Sequence, residues 1–244
     1  MMSALSPDET LELLTEGTLE MEGLISWSSN YTFLARVCRE VLEMSVVYKP
    51  QRGERPLWDF PAGTLCQRER AAFLVSEALG WGLVPETVLR DGPHGWGSVQ
   101  RFIEHDPAEH YFTFQEETEL ADQLQQVVLF DILVNNADRK GGHLLLDEGQ
   151  RVWSIDHGIC FHHEYKLRSV VWDFVGKAIP EAYLAALRQF QARLAEEDDP
   201  QLGEVRELLS QAELRAMERR LSRLLRRGRF PQPGPGRHYP WPPV

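Results

Sequence analysis

Two aspartates stand at the ends of one short turn-forming segment, Asp138 in the run Asn136-Ala137-Asp138-Arg139 and Asp156 in Asp156-His157-Gly158. Between them, Leu144-Leu145-Leu146 and Val152-Trp153-Ser154-Ile155 flank the polar turn Asp147-Glu148-Gly149-Gln150, which predicts a β-hairpin. A hairpin of that length folds its ends together, so both carboxylates face one cleft. Paired acids in a cleft hold a hard divalent cation through oxygen and accept a proton from a bound hydroxyl. A cation is also at hand. Lys49 closes an apolar, β-branched run over residues 44–48, and Glu69 lies in the first turns of a helical segment.

A metal-holding acid, a positioned carboxylate and a lysine are what phosphoryl transfer from ATP requires, because positioning and electrostatics supply most of that catalysis. The surrounding pattern supplies elements to hold them. Residues 6–17 read as a short capped helix, and residues 18–25 and 31–37 as a hairpin around Ser26-Trp27-Ser28-Ser29-Asn30. Residues 44–48, 87–89 and 98–103 add three strands, and residues 65–80 one helix, giving a five-stranded lobe over residues 1–103. Residues 104–229 then change character. Apolar residues recur at helical spacing over 116–134, with Asp131 as an interruption, and again over 180–195 and 202–227, separated by an acidic break at 196–200. Residues 230–244 are rich in proline and predict an extended tail.

Several phrases resemble one known group of proteins. NNADRKGGHLLLDEGQRVWSIDHGICF is similar to the catalytic loop, hairpin and metal-binding motif of the phosphatidylinositol 3/4-kinase-like superfamily, notably type II phosphatidylinositol 4-kinases and HipA-like kinases. CQRERAAFLVSEALGWGLVPETV resembles their glutamate-bearing helix and SVQRFIE their hinge strand; DRKGGH and SEALGW resemble phrases of an actinobacterial-type, kinase-related family. The resemblance runs from about residue 23 to residue 174. It implies an α+β, two-lobed protein-kinase-like fold with a β-rich N-lobe and a mostly helical C-lobe. It further implies ATP and Mg²⁺, with Mn²⁺ as the other candidate.

Carried over by motif, Asp138 resembles the catalytic-loop aspartate, followed by Arg139, and Asp156 the metal-binding aspartate. Lys49 would contact the α- and β-phosphates and pair with Glu69. Ser28, Ser29 and Asn30 would cover the phosphates, and Phe102, Ile103 and Glu104 would lie along the adenine. The pattern departs at His143, which stands where such kinases place an asparagine for a second metal, although oxygen suits Mg²⁺ better. Two readings stay open: a kinase acting on a hydroxyl of a soluble protein or small molecule, and a pseudokinase or nucleotide-binding interaction module without turnover. In the second, the arginine-rich segment 215–229 and the Pro-rich tail recruit a partner.

Composition narrows the setting. A formal net charge of −11 repels nucleic-acid phosphates and anionic lipid headgroups, which argues against a nucleic-acid partner and favours a soluble acceptor. Cys38, Cys66 and Cys160 show no zinc or disulfide spacing, and no apolar run approaches a membrane span, so a cytoplasmic protein is expected.

Overall fold

The computed structural model describes residues 5–25 and 30–244. Ser6 opens α1 (Pro7–Glu16) with a reciprocal capping box to Glu9, which satisfies the first backbone donors of the helix. A five-stranded antiparallel sheet follows: β1 (Thr18–Leu24), β2 (Phe33–Arg39), β3 (Leu42–Pro50), β4 (Thr87–Gly92) and β5 (Gly95–Arg101), in the order β1-β2-β3-β5-β4. Alternation along the strands decides which face is which. Ala35, Val37, Val46, Tyr48 and Val99 are fully buried with Leu13 and Leu14 of α1, so Lys49 of β3 is turned to the opposite face. Lys49 pairs in register with Ser98, and Pro50 with Gly97. A Cβ at Gly97 would lie 2.4 Å from the Lys49 carbonyl oxygen, so the tight strand contact beside the lysine requires glycine.

Helix α2 (Leu65–Ala78) is buried nearly all round, and two of its arginines tie it to the helical half of the chain. Arg68 pairs with Glu213 at 2.6 Å and donates to the Cys160 carbonyl, while Arg70 makes a bidentate pair with Glu204. The second lobe comprises α3 (Tyr111–Phe114), α4 (Ala121–Val134), the hairpin β6 (Leu144–Leu146) and β7 (Val152–Ser154), α5 (Glu181–Leu194), α6 (Pro200–Leu208) and α7 (Gln211–Arg227). Its core is continuous with the apolar side of α2. The molecule is thus an α+β fold of two lobes, one built on the sheet and one mostly helical.

Several element boundaries differ by a few residues from those the sequence predicts, and three of the differences matter here. The helix expected over 202–227 is two helices: α6 ends at Leu208, Leu209 is extended, and Ser210 opens α7 through a capping box with Glu213. The helix expected from residue 116 begins as a 3-10 turn at Thr118–Leu120 and becomes α-helical at Ala121. The strand expected over 98–103 starts at Gly95 and ends at Arg101, leaving Phe102, Ile103 and Glu104 in the connection between the lobes.

Candidate active site

Lys49, Glu69 and Asp156 arrive from three separate elements and meet. The Lys49 ammonium lies 2.5 Å from Glu69 Oε1 and 3.0 Å from Asp156 Oδ1. The other oxygen of Glu69 accepts the backbone N–H of His157 at 2.9 Å, so one buried carboxylate joins the N-lobe lysine to the segment after the hairpin. Burial alone would lower the lysine pKa, but Asp156 and Glu69 outweigh it and hold Lys49 charged. Lys49 in turn holds the Asp156 carboxyl well below its ordinary range, with His143 assisting against burial. Asp156 adopts a left-handed backbone (φ 61°), which aspartate tolerates better than most residues, and its side chain stays 49 % exposed to the cleft.

Asp138 sits across the hairpin base. Its backbone N–H is fixed by the side chain of Asn136 at 2.9 Å, and its carboxylate, 28 % exposed, lies 3.3 Å from the Lys140 ammonium. Burial raises its pKa against the pull of Lys140, and the charge of Asp156 is near enough to raise it further. The two acids therefore share the cleft, differently poised: one held ionised, one closer to taking a proton.

Arg139 does not reach the cleft. It is fully buried and clamps the hairpin from behind, pairing with Asp131 of α4 at 2.8 Å and donating to the carbonyls of His143 and Ile155. It also lies 2.8 Å from His157 Nε2, which as partner of a guanidinium accepts. Asn136 completes the group by donating to Asp131 at 3.0 Å. Arg139 is thus a positioning residue. Asp131, read above as an interruption, is the buried anion that holds the loop over residues 135–143 through Asn136 and Arg139, and Lys140 is a cation beside Asp138 that the motifs did not single out. An acid inside an apolar helix was the available signal, since a buried charge requires a partner.

His143 is 15 % exposed, with Nε2 3.3 Å from Asp156 Oδ2. Burial drops its pKa to about 4, so the ring is neutral at pH 7 and free to ligate. Ligands on adjacent vertices of an octahedron with bonds of about 2.1 Å stand about 3 Å apart, so this nitrogen–oxygen pair fits one divalent cation. Among the described residues no group of three or more His, Cys, Asp and Glu surrounds a common point. The pair suits a cation that completes its shell with phosphate oxygens and water, as Mg²⁺ and Mn²⁺ do beside nucleotides.

The depressed His143 has a measurable consequence. In the unfolded chain the ring titrates near 6.5, so between about pH 6.5 and 4 the unfolded state binds more protons. Stability is complete above that window and falls as pH drops through it, by up to about 3 kcal/mol for this group. Buried His157 shifts in the same direction. Urea unfolding at pH 7 and pH 4.5 should show the loss, and its absence in wild type would contradict the buried neutral rings.

The remaining candidates are placed as follows. The Phe102 N–H donates to Ser45 O at 3.0 Å, Ile103 is buried against Leu145 and Trp153, and Glu104 is exposed. Asn30 accepts the Arg55 N–H through Oδ1 at 2.7 Å. Ser28 and Ser29 lie outside the described residues.

The sequence pattern of the family described as "Phosphatidylinositol 3- and 4-kinase" matches residues 17–209, more than half the chain. The chain belongs to that family. A Mycobacterium tuberculosis relative, Protein Rv2133c, is 37 % identical over 269 residues, covering 96 % of this chain and 95 % of its own, in keeping with an actinobacterial-type branch. Among solved structures, a Golgi casein kinase with Mn/ADP bound superposes with a TM-score of 0.52 at 15 % identity, over 90 % of this chain and 74 % of that one. A hydra Fam20 structure with sugar gives 0.51 at 14 % identity, over 93 % and 90 %. At those identities the likeness concerns the fold. Family membership supports a phosphotransferase of the kinase class, and the cleft just described lies within the matched residues.

Proposed function

We propose that this protein is an ATP- and divalent-metal-dependent kinase that transfers the γ-phosphoryl group to a hydroxyl of a soluble protein or small molecule. The observation that carries the reading is the convergence of Lys49, Glu69 and Asp156 beside Asp138. The Mn/ADP bound in the Golgi casein kinase structure supports a nucleotide and a divalent cation in a cleft of this shape. Lys49, held charged and fixed by Glu69, binds phosphate oxygens. Phe102, Ile103 and Glu104 offer the connection along which an adenine lies. Asp138 orients the acceptor hydroxyl and takes its proton as the new P–O bond forms and the bond to the β-phosphate breaks, releasing ADP. A cation held by Asp156 and His143 would neutralise charge that develops on the terminal phosphates. Lys140, 3.3 Å from Asp138, would place a second cation beside the transferring group.

A soluble acceptor is favoured over a bilayer because the chain carries a net charge of −11 and no described helix is long and apolar enough to cross a membrane. The same charge disfavours nucleic acid. His143 supports the second reading, a nucleotide-binding module without turnover, since an imidazole replaces an oxygen ligand. Titration calorimetry with ATP and Mg²⁺ or Mn²⁺, followed by phosphate release, separates the two: turnover in either metal supports the kinase, and tight binding without turnover supports the module. In the kinase reading, His143→Asn restores an oxygen ligand. The variant should bind Mg²⁺-nucleotide several-fold better relative to Mn²⁺-nucleotide than wild type does, as read by calorimetry. An unchanged ratio would remove His143 from the metal site.

A further inference from the structure

Residues 230–244 include six prolines and leave the last helix as an extended chain, yet they do not leave the molecule. Phe230 packs on Phe174, and the chain runs back across the C-lobe to the catalytic loop. There the Pro243 carbonyl accepts the Gly141 N–H at 2.8 Å, three residues beyond Asp138. A Cβ at Gly142 would lie 3.9 Å from Val244 Cγ1. One lane further, residues 168–170 pair with Arg139 on one side, while the Ser169 N–H donates to the His238 carbonyl at 3.0 Å on the other. Tail, residue 169 and catalytic loop are therefore three neighbouring extended lanes.

Two features show how the lane works. Its hydrogen bonds to the body are backbone pairings at Ser169 and Gly141, which any extended chain can make, and two side chains add to them: the His238 ring lies edge-on to Trp172 and Pro240 is buried. Its own large side chains stay outside: Trp241 is 78 % exposed, while Tyr239 and Val244 are about half exposed. A proline-rich segment is already extended when released, so docking it orders few torsions and undocking it gains little. These are properties of a displaceable occupant rather than of a core element.

We propose that the surface formed by Gly141, Gly142 and Ser169 is a binding lane for an extended polypeptide, and that residues 237–244 fill it in cis until an acceptor displaces them. The second clause rests on the kinase reading; the first does not. Amide exchange on the full chain tests both, using Pro240→Asp, which puts a charge at a buried tail residue, and Trp241→Gly, which loosens the tail without burying anything. Exchange in the loop peptide spanning Gly141 and in that spanning Ser169 should rise together, about ten-fold or more, with the rest of the C-lobe unchanged. Adding the synthetic peptide of residues 237–244 in trans should restore protection. ATP turnover with dephosphorylated casein as hydroxyl donor should rise in both variants and be suppressed by the peptide. Unchanged loop exchange in both variants, or no protection by millimolar peptide, overturns the lane. Turnover that falls in the variants overturns displacement and makes the tail a wall of the site. No turnover in any form defeats the kinase reading, and with it displacement, while exchange still decides the lane.

Discussion

Asp156→Asn should lower ATP turnover by about 10²–10³-fold or more, the loss expected when one preorganised electrostatic group leaves a transition state. Asparagine is the right probe because it keeps the shape and tolerates the left-handed backbone at this position (φ 61°), where alanine would add strain. The loss should fall on kcat, since the carboxylate acts through a cation on the terminal phosphates, whereas adenine contacts lie on the connection between the lobes. Stability should fall only modestly, because the Asp156 carboxylate that Lys49 stabilises is half exposed. Removing the anion leaves Lys49 paired with Glu69 at 2.5 Å, so the thermal midpoint should stay within a few degrees of wild type. Single-turnover phosphate release together with a thermal melt reads both quantities, and retained turnover would take Asp156 out of the mechanism.

The second large effect is structural. Arg139→Met should destabilise the fold by about 3–5 kcal/mol, because it strands the Asp131 carboxylate in a site where both side chains are at most 2 % exposed. Asp131→Leu alone should cost a similar amount by orphaning the guanidinium. In the double variant Arg139→Met/Asp131→Leu much of the stability should return, since apolar pairs of similar volume replace buried ion pairs with little net loss. Activity should not return with it. Arg139 also holds the carbonyls of His143 and Ile155, the two ends of the hairpin that present the metal-side residues. Denaturant midpoints and turnover measured on all four forms give the cycle; a double variant as unstable as the worse single would contradict the assignment of Asp131 as the partner.

What the sequence disclosed about this molecule follows how local each feature is. Asp138 and Asp156 were legible because a single hairpin, with its own turn signal, brings them together. Lys49 and Glu69 were visible from the β-branched run and the helix that carry them, helped by phrases shared with a family that the chain proved to join. The buried anion beneath the loop was harder. Asp131 lies within an otherwise apolar helix and contacts Arg139 eight residues on, across a left-handed turn at Asn135 that periodicity does not show. The break between α6 and α7 was present in the sequence as Ser210 followed by Glu213, but Leu208 and Leu209 continue the apolar pattern across it and mask the cap. The path of the tail left no local trace at all. Proline content reports extension, and only the folded body determines that the extended chain returns to Gly141, about a hundred positions earlier.

The proposed kinase activity depends on where a nucleotide sits. A crystal structure with a non-hydrolysable ATP analogue and Mn²⁺ should show the terminal phosphates between Lys49 and Asp156, the cation on Asp156 and His143, and the adenine beside Ile103. A nucleotide bound away from Lys49, or a cation that leaves Asp156 uncoordinated, would contradict it.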